Sequence, residues 1–367
     1  MRVVVTGGGT GGHIFPALAI ANALDAEILY IGGEKGIEKD ILPDSGFKYK
    51  LIDVEGFKRK LSIKNVAIAL KALTATKRCR AILREFKPDV VVATGGYVSG
   101  PVGQAAAGLK IPLFLQEQNS YPGVTVRLLA KKARAIFLGS KGAEKYLPKH
   151  KCMFTGNPVR REIVDADRKE ARRRLQLEKK TLLLVTGGSQ GSQAINEAVR
   201  ALYPKLKKKK DLVVVHHTGW LDYPDVKSGP TAYPVLQSEL GQGAKAVAEN
   251  IFITPFIKGM ATFLAASDLV VSRAGAIFLS EAAVLGVPLI MIPFPHAAEN
   301  HQTYNARVWE ENGAGLLIPE AEISSLEDKL LALLDDPSRR KKMAERAKTL
   351  GNPTATEAIV REIMSLA

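Results

Sequence analysis

The stretch Val3–Leu24, "VVVTGGGTGGHIFPALAIANAL", decides how the rest of the chain is read. Three valines make a short β-branched strand, and Gly7–Gly12 make a turn with five glycines in six positions. An apolar helical stretch follows, so the segment reads strand, glycine loop, helix. Thr181–Val199, "TLLLVTGGSQGSQAINEAV", repeats that plan with the same V-T-G-G step. After the first copy come "AEILYIGG", "PDVVVATGGYVSGPVGQAAAG" and "IPLFLQEQN"; after the second come "LVVVHHTG", "NIFITPF", "ASDLVVSRAG" and "VPLIMIPFP". Short strands alternating with helices predict parallel α/β sheets. Two series, each opening on a glycine loop, predict two Rossmann-like doubly wound domains. Gly156-Asn157-Pro158 breaks the chain between them, giving domains 1–157 and 158–351, with a last helix over 352–367 that can return to either.

The 367 residues suffice for two domains, and 46% apolar with 24% charged content is that of a globular protein with cores to bury. No apolar run reaches the roughly 18 residues of a membrane span. The N-terminal apolar stretch is too short to read as a signal peptide. Cys79 and Cys152 are the only cysteines, which favours a reducing compartment and gives no support to a zinc site. His216 and His217 alternate across a strand, and no His/carboxylate spacing matches a zincin, so no metal is expected. Asp165–Asp167, "DAD", precedes "RKEARRRLQL" and reads as an acidic helix start rather than a metal-binding D-x-D.

Net charge is +15, and residues 1–157 hold 24 Lys or Arg against 12 Asp or Glu. Phe57–Lys87 carries ten basic residues and one acid, Glu85. Ile63, Val66, Ala67, Leu70 and Leu73 recur there at helical spacing, as in helices lying on an anionic membrane surface, though a core-facing helix reads the same way. Few aromatics and no nucleic-acid motif accompany the charge, so no nucleic-acid partner is expected.

Gly7, Gly9 and Gly12 satisfy G-x-G-x-x-G, which raises an NAD-dependent oxidoreductase as an alternative. The second strand ends Ile31-Gly32-Gly33, without the acid that would hold a ribose, and a second V-T-G-G loop is unexplained by that reading. Glycine loops at helix starts expose N–H groups to anions, and two such loops favour phosphate over simple tight packing. His13 sits at a helix start, where positive potential favours the neutral imidazole that a general base requires; a solvent-facing cap accounts for it equally. Glu281 lies in the apolar run Ala276–Leu285, either to accept a ribose diol or to meet a buried cation.

In order along the chain, "GGGTGGHIFPALAIANAL", "ATGGYVSGP", "QEQN", "TGNPVR", "VTGGSQGSQAIN", "SRAGAIFLSEAAVLGVPLIMIPFP" and "HQTYNA" resemble the MurG family of peptidoglycan enzymes. That family transfers N-acetylglucosamine from UDP-GlcNAc to lipid I. The resemblance implies a GT-B glycosyltransferase, two Rossmann-like domains facing across a cleft, inverting and needing no cofactor or D-x-D metal. It implies that the backbone of Ile257 meets the uracil and Glu281 the ribose. Ser189 and the helix start Ala276-Ile277, continuing through Phe278, Leu279 and Ser280, would serve the UDP moiety, and Gln302 the sugar. Asn119, Arg160 and Thr10-Gly11-Gly12 also match donor-site positions. The loop Gly8-Gly9-Thr10-Gly11-Gly12 would cradle the acceptor's pyrophosphate. His13 would take the proton from the C4 hydroxyl of N-acetylmuramic acid, with Glu117 as competitor. Phe278 stands where the family has Thr, and Gln116 where it has His, so Gln116 does not titrate.

The implied partners are lipid I, the anionic cytoplasmic face of the bacterial inner membrane through Phe57–Lys87, and cell-wall synthesis proteins. A related transferase to diacylglycerol and a UDP-GlcNAc 2-epimerase share much of this plan.

Overall fold

A computed structural model describes residues 1–55, 64–241 and 243–366, with the side chains of 64–70 left aside. The chain divides into two compact units, Met1–Arg160 with Asn352–Ala367, and Arg161–Gly351.

The first unit holds a seven-stranded sheet in the order β3-β2-β1-β4-β5-β6-β7, with every pair parallel. Its strands are β1 (Arg2–Thr6), β2 (Glu27–Gly33), β3 (Lys48–Ile52), β4 (Val90–Ala93), β5 (Leu113–Glu117), β6 (Ala135–Leu138) and β7 (Cys152–Phe154). Helices cover both faces, so the central strands are apolar throughout rather than alternating. Val3 and Val5 pack into one buried cluster and Val4 into another, because successive side chains leave opposite faces. The terminal helix Ala355–Leu366 buries Ile359 and Ile363 among Val3, Val5, Ile14 and Ala17. Burying each isoleucine contributes on the order of 2 kcal/mol. Asn352 Nδ2 donates to Thr155 O at 2.6 Å, fastening the start of that segment to the same unit.

The second unit holds the order β10-β11-β9-β8-β12-β13-β14. These are β8 (Thr181–Thr186), β9 (Leu212–His217), β10 (Lys245–Ala248), β11 (Ile251–Thr254), β12 (Leu269–Ser272), β13 (Leu289–Met291) and β14 (Gly315–Leu317). Among the described residues only the edge strand β10 runs antiparallel in this sheet. Asp167 accepts from Glu170 N at 2.8 Å and so caps the helix Arg168–Arg174, which is what its acidic start is for. Gly286, at φ +67°, ends the helix Ala276–Leu285 in the left-handed conformation that glycine adopts without penalty.

In each sheet the strand order reverses at one place, between β1 and β4 and between β8 and β12. Ligands of doubly wound sheets bind beyond the carboxyl ends of the strands at such a switch point. The four glycine-bearing turns conspicuous in the sequence follow these four strands: Gly7–Gly12, Gly95-Gly96, Gly187–Gly191 and Gly275. Among the described residues no helix is long and apolar enough to cross a membrane.

Candidate active site

The first switch point is built around His13. Helix Gly11–Ala23 begins just after Thr10, which caps it in extended conformation. His13 therefore falls in the first turn, where N–H groups lack intrahelical acceptors. Its Nδ1 lies 3.0 Å from Thr94 O and 3.0 Å from Gln118 Oε1. Both neighbours are acceptors, so Nδ1 carries a hydrogen, and in the neutral ring Nε2 then holds the lone pair. Thr94 Oγ1 donates to His13 O at 2.7 Å, which ties the helix start to the end of β4.

Gln118 is oriented in turn. Its Nε2 donates to Thr94 O at 2.7 Å and to the side-chain oxygen of Gln116. Gln116 Nε2 donates to Asn157 Oδ1 at 2.9 Å, and Asn157 Nδ2 to Gln118 O at 3.1 Å. All three amides are buried. Gln116, which departs from the family pattern, is thus a link in a neutral amide chain behind the histidine. Gln118 was not among the residues singled out in the sequence. Period-two alternation along "QEQ" was the available signal, because it sends Gln116 and Gln118 to one face and Glu117 to the other.

Glu117 is engaged in its own loop. Its Oε1 accepts from Asn119 N at 2.9 Å and Asn119 Nδ2 at 3.1 Å, and its Oε2 from Gly123 N at 2.9 Å. Burial raises its pKa, opposed by those loop donors. Arg160 stacks its guanidinium 5.7 Å from the Phe15 ring, on the helix that carries His13. In the loop itself Gly8 is buried and Gly9 half-buried at φ +88°, while Thr10 and Gly12 are exposed and Gly11 is half-buried.

The second switch point gathers the other candidates. Ser189 is exposed at the tip of the turn Gly187–Gly191, where Gly188 and Gly191 have φ of +90° and +80°. Ser192 caps the helix Gln193–Leu206 and receives Arg273 Nη2 at 2.6 Å. Arg273 also donates to Ile292 O at 3.0 Å and Pro293 O at 3.2 Å, joining the ends of β12 and β13 to the glycine turn. This arginine was missed in the sequence, although its place between a strand end and a helix start was the clue.

Gln302 Oε1 accepts from Ala274 N at 3.3 Å and Phe294 N at 2.9 Å. Two donors at one atom identify it as the oxygen and leave the NH2 as the donating end. Ala276 and Ile277 open the helix that follows Gly275. Phe278 packs against the core and Leu279 lies within it, while Ser280 Oγ donates back to Ala276 O at 2.9 Å. Glu281 is 4% exposed. Ile257 also buries its side chain in this core, so the backbone is the part that can meet a ligand.

Among the described residues no group of three or more His, Cys, Asp or Glu could hold a metal ion. His216 sits between Tyr203 Oη at 2.7 Å and Asn196 Oδ1 at 2.9 Å, and burial lowers its pKa to about 3. His217 instead meets Thr186 Oγ1 at 2.9 Å and Pro255 O at 3.1 Å.

Residues 3–138 match the glycosyltransferase family 28 N-terminal domain, and residues 182–359 its C-terminal domain. The UDP-N-acetylglucosamine–N-acetylmuramyl-(pentapeptide) pyrophosphoryl-undecaprenol N-acetylglucosamine transferase of Halalkalibacterium halodurans is 43% identical over 98% of both chains. The enzyme of the same name from Clostridioides difficile is 41% identical over 100% of this chain and 89% of its own. Among solved structures, Acinetobacter baumannii MurG aligns with a TM-score of 0.74 at 29% identity, covering 99% of each chain. The UDP-GlcNAc 2-epimerase of Neisseria meningitidis bound to UDP-GlcNAc aligns at 0.64 and 17% identity over the full length of both, a likeness of fold alone.

Proposed function

The chain belongs to glycosyltransferase family 28, with the GT-B fold, and from that premise we propose how its residues divide the work of transfer. It is a UDP-GlcNAc-dependent transferase that moves N-acetylglucosamine onto MurNAc-(pentapeptide) pyrophosphoryl-undecaprenol, lipid I, to make lipid II. The observation that carries this is the 43% identity spanning 98% of both chains, since it covers both switch points rather than one motif.

We assign the acceptor to the first unit and the donor chiefly to the second. Gly8–Gly12 present N–H groups to the acceptor pyrophosphate. His13 takes the proton of the C4 hydroxyl on Nε2 as that oxygen attacks the anomeric carbon, and a single displacement gives an inverted β-1,4 link. The supporting observation is the placement of Nδ1 against two acceptors, which suits the tautomer such a base requires. Glu117, with both oxygens bonded inside its loop, serves that loop instead. Asn119, Arg160 and Thr10-Gly11-Gly12 add donor contacts from the first unit.

On the donor, Glu281 accepts the ribose hydroxyls, the backbone of Ile257 meets the uracil, and Gln302 donates its NH2 to the sugar. Ser189 and the helix start Ala276-Ile277 stabilise the departing diphosphate, with Phe278, Leu279 and Ser280 forming the rest of that helix turn. Charge developing on UDP is met by oriented N–H and O–H dipoles. No cofactor of the protein's own is assigned.

Lipid I is held in a bilayer, and we place the enzyme as a peripheral protein on its cytoplasmic face. Residues 56–63, including Phe57–Lys60 and Ile63 of the basic segment, lie outside the described residues, as do the side chains of Val66, Ala67 and Leu70. Within helix Lys64–Phe86, Ala75, Cys79, Ile82 and Leu83 face the core, while Leu73, Lys77, Arg80 and Arg84 are exposed. A pocket of about 770 Å³ nearby is lined by Arg80, Lys110, Lys132, Arg134 and Lys151, without an acid, which supports docking to anionic headgroups. Cell-wall synthesis proteins are the partners such a location offers.

The test is transfer of label from UDP-GlcNAc to a short-chain lipid I analogue by purified protein in EDTA. Labelled lipid product is expected; donor binding without transfer, or label moving to diacylglycerol instead, overturns the acceptor assignment.

A further inference from the structure

We infer that Glu38 is a positioning residue for the first glycine loop: its buried carboxylate fills the berth left open by Gly8, Gly33 and Gly36 and fixes the loop that leads to His13. This rests on reading that loop as the acceptor site.

Glu38 begins the one-turn helix Glu38–Ile41 just after β2, and its side chain is wholly buried. A glutamate in "GGEKGIEKD" would ordinarily be solvated. Here Oε1 accepts from Gly33 N at 3.0 Å. A Cβ placed on Gly8 would fall 1.8 Å from Oε1, and one on Gly36 would fall 1.9 Å from Oε2. The three nearest atoms to that Gly8 Cβ all belong to Glu38. Oε2 is buried without a hydrogen-bond partner among the described residues. Leaving such an oxygen unpaired is unfavourable, so packing stability gives no reason for a carboxylate at this place. What the group does touch is the back of the loop.

Its neighbours complete a rear wall. Tyr30 Oη donates to Gly7 O at 2.7 Å, and the Tyr97 ring is so close to Gly9 that a Cβ there would lie 2.6 Å from it. Gly7, Gly8 and Gly9 are thus each backed by a side chain from β2, its following helix, or the helix Gly96–Gly108 after β4. The wall fills the space behind the loop, and the glutamate is its middle member.

The test uses the full chain with four variants: E38A, E38Q, G8A and G8A/E38A. Gly8 does not have positive φ, so alanine there is opposed by the Glu38 carboxylate rather than by backbone conformation. G8A is expected to lose about 100-fold in kcat/KM for the lipid I analogue, the scale of an ångström's misplacement. In G8A/E38A the added methyl occupies the vacated space, and activity returns to within about 3-fold of E38A, a non-additivity that marks direct contact. E38A raises the acceptor KM about 10-fold and leaves UDP-GlcNAc affinity unchanged, while E38Q, which keeps the volume and an oxygen for Gly33 N–H, stays within about 3-fold of wild type.

Losses that simply multiply in the double variant overturn the inference, as does an E38A enzyme with wild-type KM. If the wild-type chain fails to glycosylate the analogue, the functional reading falls. The contact is then still read by thermal midpoints, which G8A lowers and G8A/E38A restores; no restoration refutes it.

Discussion

Gly96→Ala tests whether the second glycine turn sets the geometry of the first. Gly96 follows β4 with φ +79°, and a Cβ there would lie 2.1 Å from Gly8 O and 3.2 Å from His13 Cδ2. The left-handed conformation alone costs a non-glycine residue roughly 1–2 kcal/mol. Relief of the clash requires the Gly8 carbonyl to retreat by about 1 Å, and shifts of that size at a reacting centre can cost about 100-fold in rate. The expected variant is destabilised by about 2–4 kcal/mol, turns over acceptor about 100-fold less efficiently, and binds UDP-GlcNAc as wild type does.

Gly46→Ala is the matched control. Gly46 has φ +77° but nothing within 4 Å of its would-be Cβ. It should show only the conformational cost of roughly 1–2 kcal/mol, with unchanged turnover. Urea unfolding supplies the stabilities, initial rates on a lipid I analogue supply kcat/KM, and calorimetry supplies donor affinity. Equal activity losses in the two variants, or a Gly96→Ala enzyme with wild-type turnover, would refute the reasoning.

Glu281→Ala should weaken UDP-GlcNAc binding by at least about 10-fold, the worth of charge-assisted hydrogen bonds to the ribose; calorimetry giving normal affinity removes that role. His216, held neutral with a pKa of about 3, binds fewer protons folded than unfolded below the ordinary histidine value of 6.5. Its contribution to stability is therefore fully present above pH 6.5 and is lost as pH falls toward 3, by about 1.4 kcal/mol per pH unit at most. His216→Gln should flatten the decline of the urea midpoint between pH 6.5 and 4, and parallel curves for the two proteins would exclude it. Replacing Lys77, Arg80 and Arg84 together by Gln removes about 3 kcal/mol of attraction to an anionic surface. Sedimentation with phosphatidylglycerol vesicles should fall about 100-fold while turnover of a soluble acceptor analogue is kept; unchanged sedimentation would rule out this helix as the contact.

The central strands were legible because burial on both faces makes them continuous apolar runs, as in Val3–Val5 and Val90–Val92. Edge strands carry no such mark. Lys48–Ile52 has three exposed residues among its five, and Cys152–Phe154 and Gly315–Leu317 have only three residues each, too few to establish a period. His13 was visible because it stands at a local boundary between glycine loop and helix. Its orientation was not, since Thr94 and Gln118 come from 81 and 105 positions away. Glu38 and Glu34 look alike in the sequence; only the folded glycine turn buries one and leaves the other on the surface beside Arg78. Arg273 is similar, for it reaches the Ile292 and Pro293 carbonyls only when β12 and β13 pair.

The most direct measurement is the turnover number of His13→Ala with saturating UDP-GlcNAc and lipid I analogue, alongside its donor affinity. Loss of a general base predicts a kcat lower by about 100- to 10,000-fold, with donor binding unchanged. Turnover close to wild type would contradict proton removal by this imidazole and return the search for a base to the other groups around the first switch point.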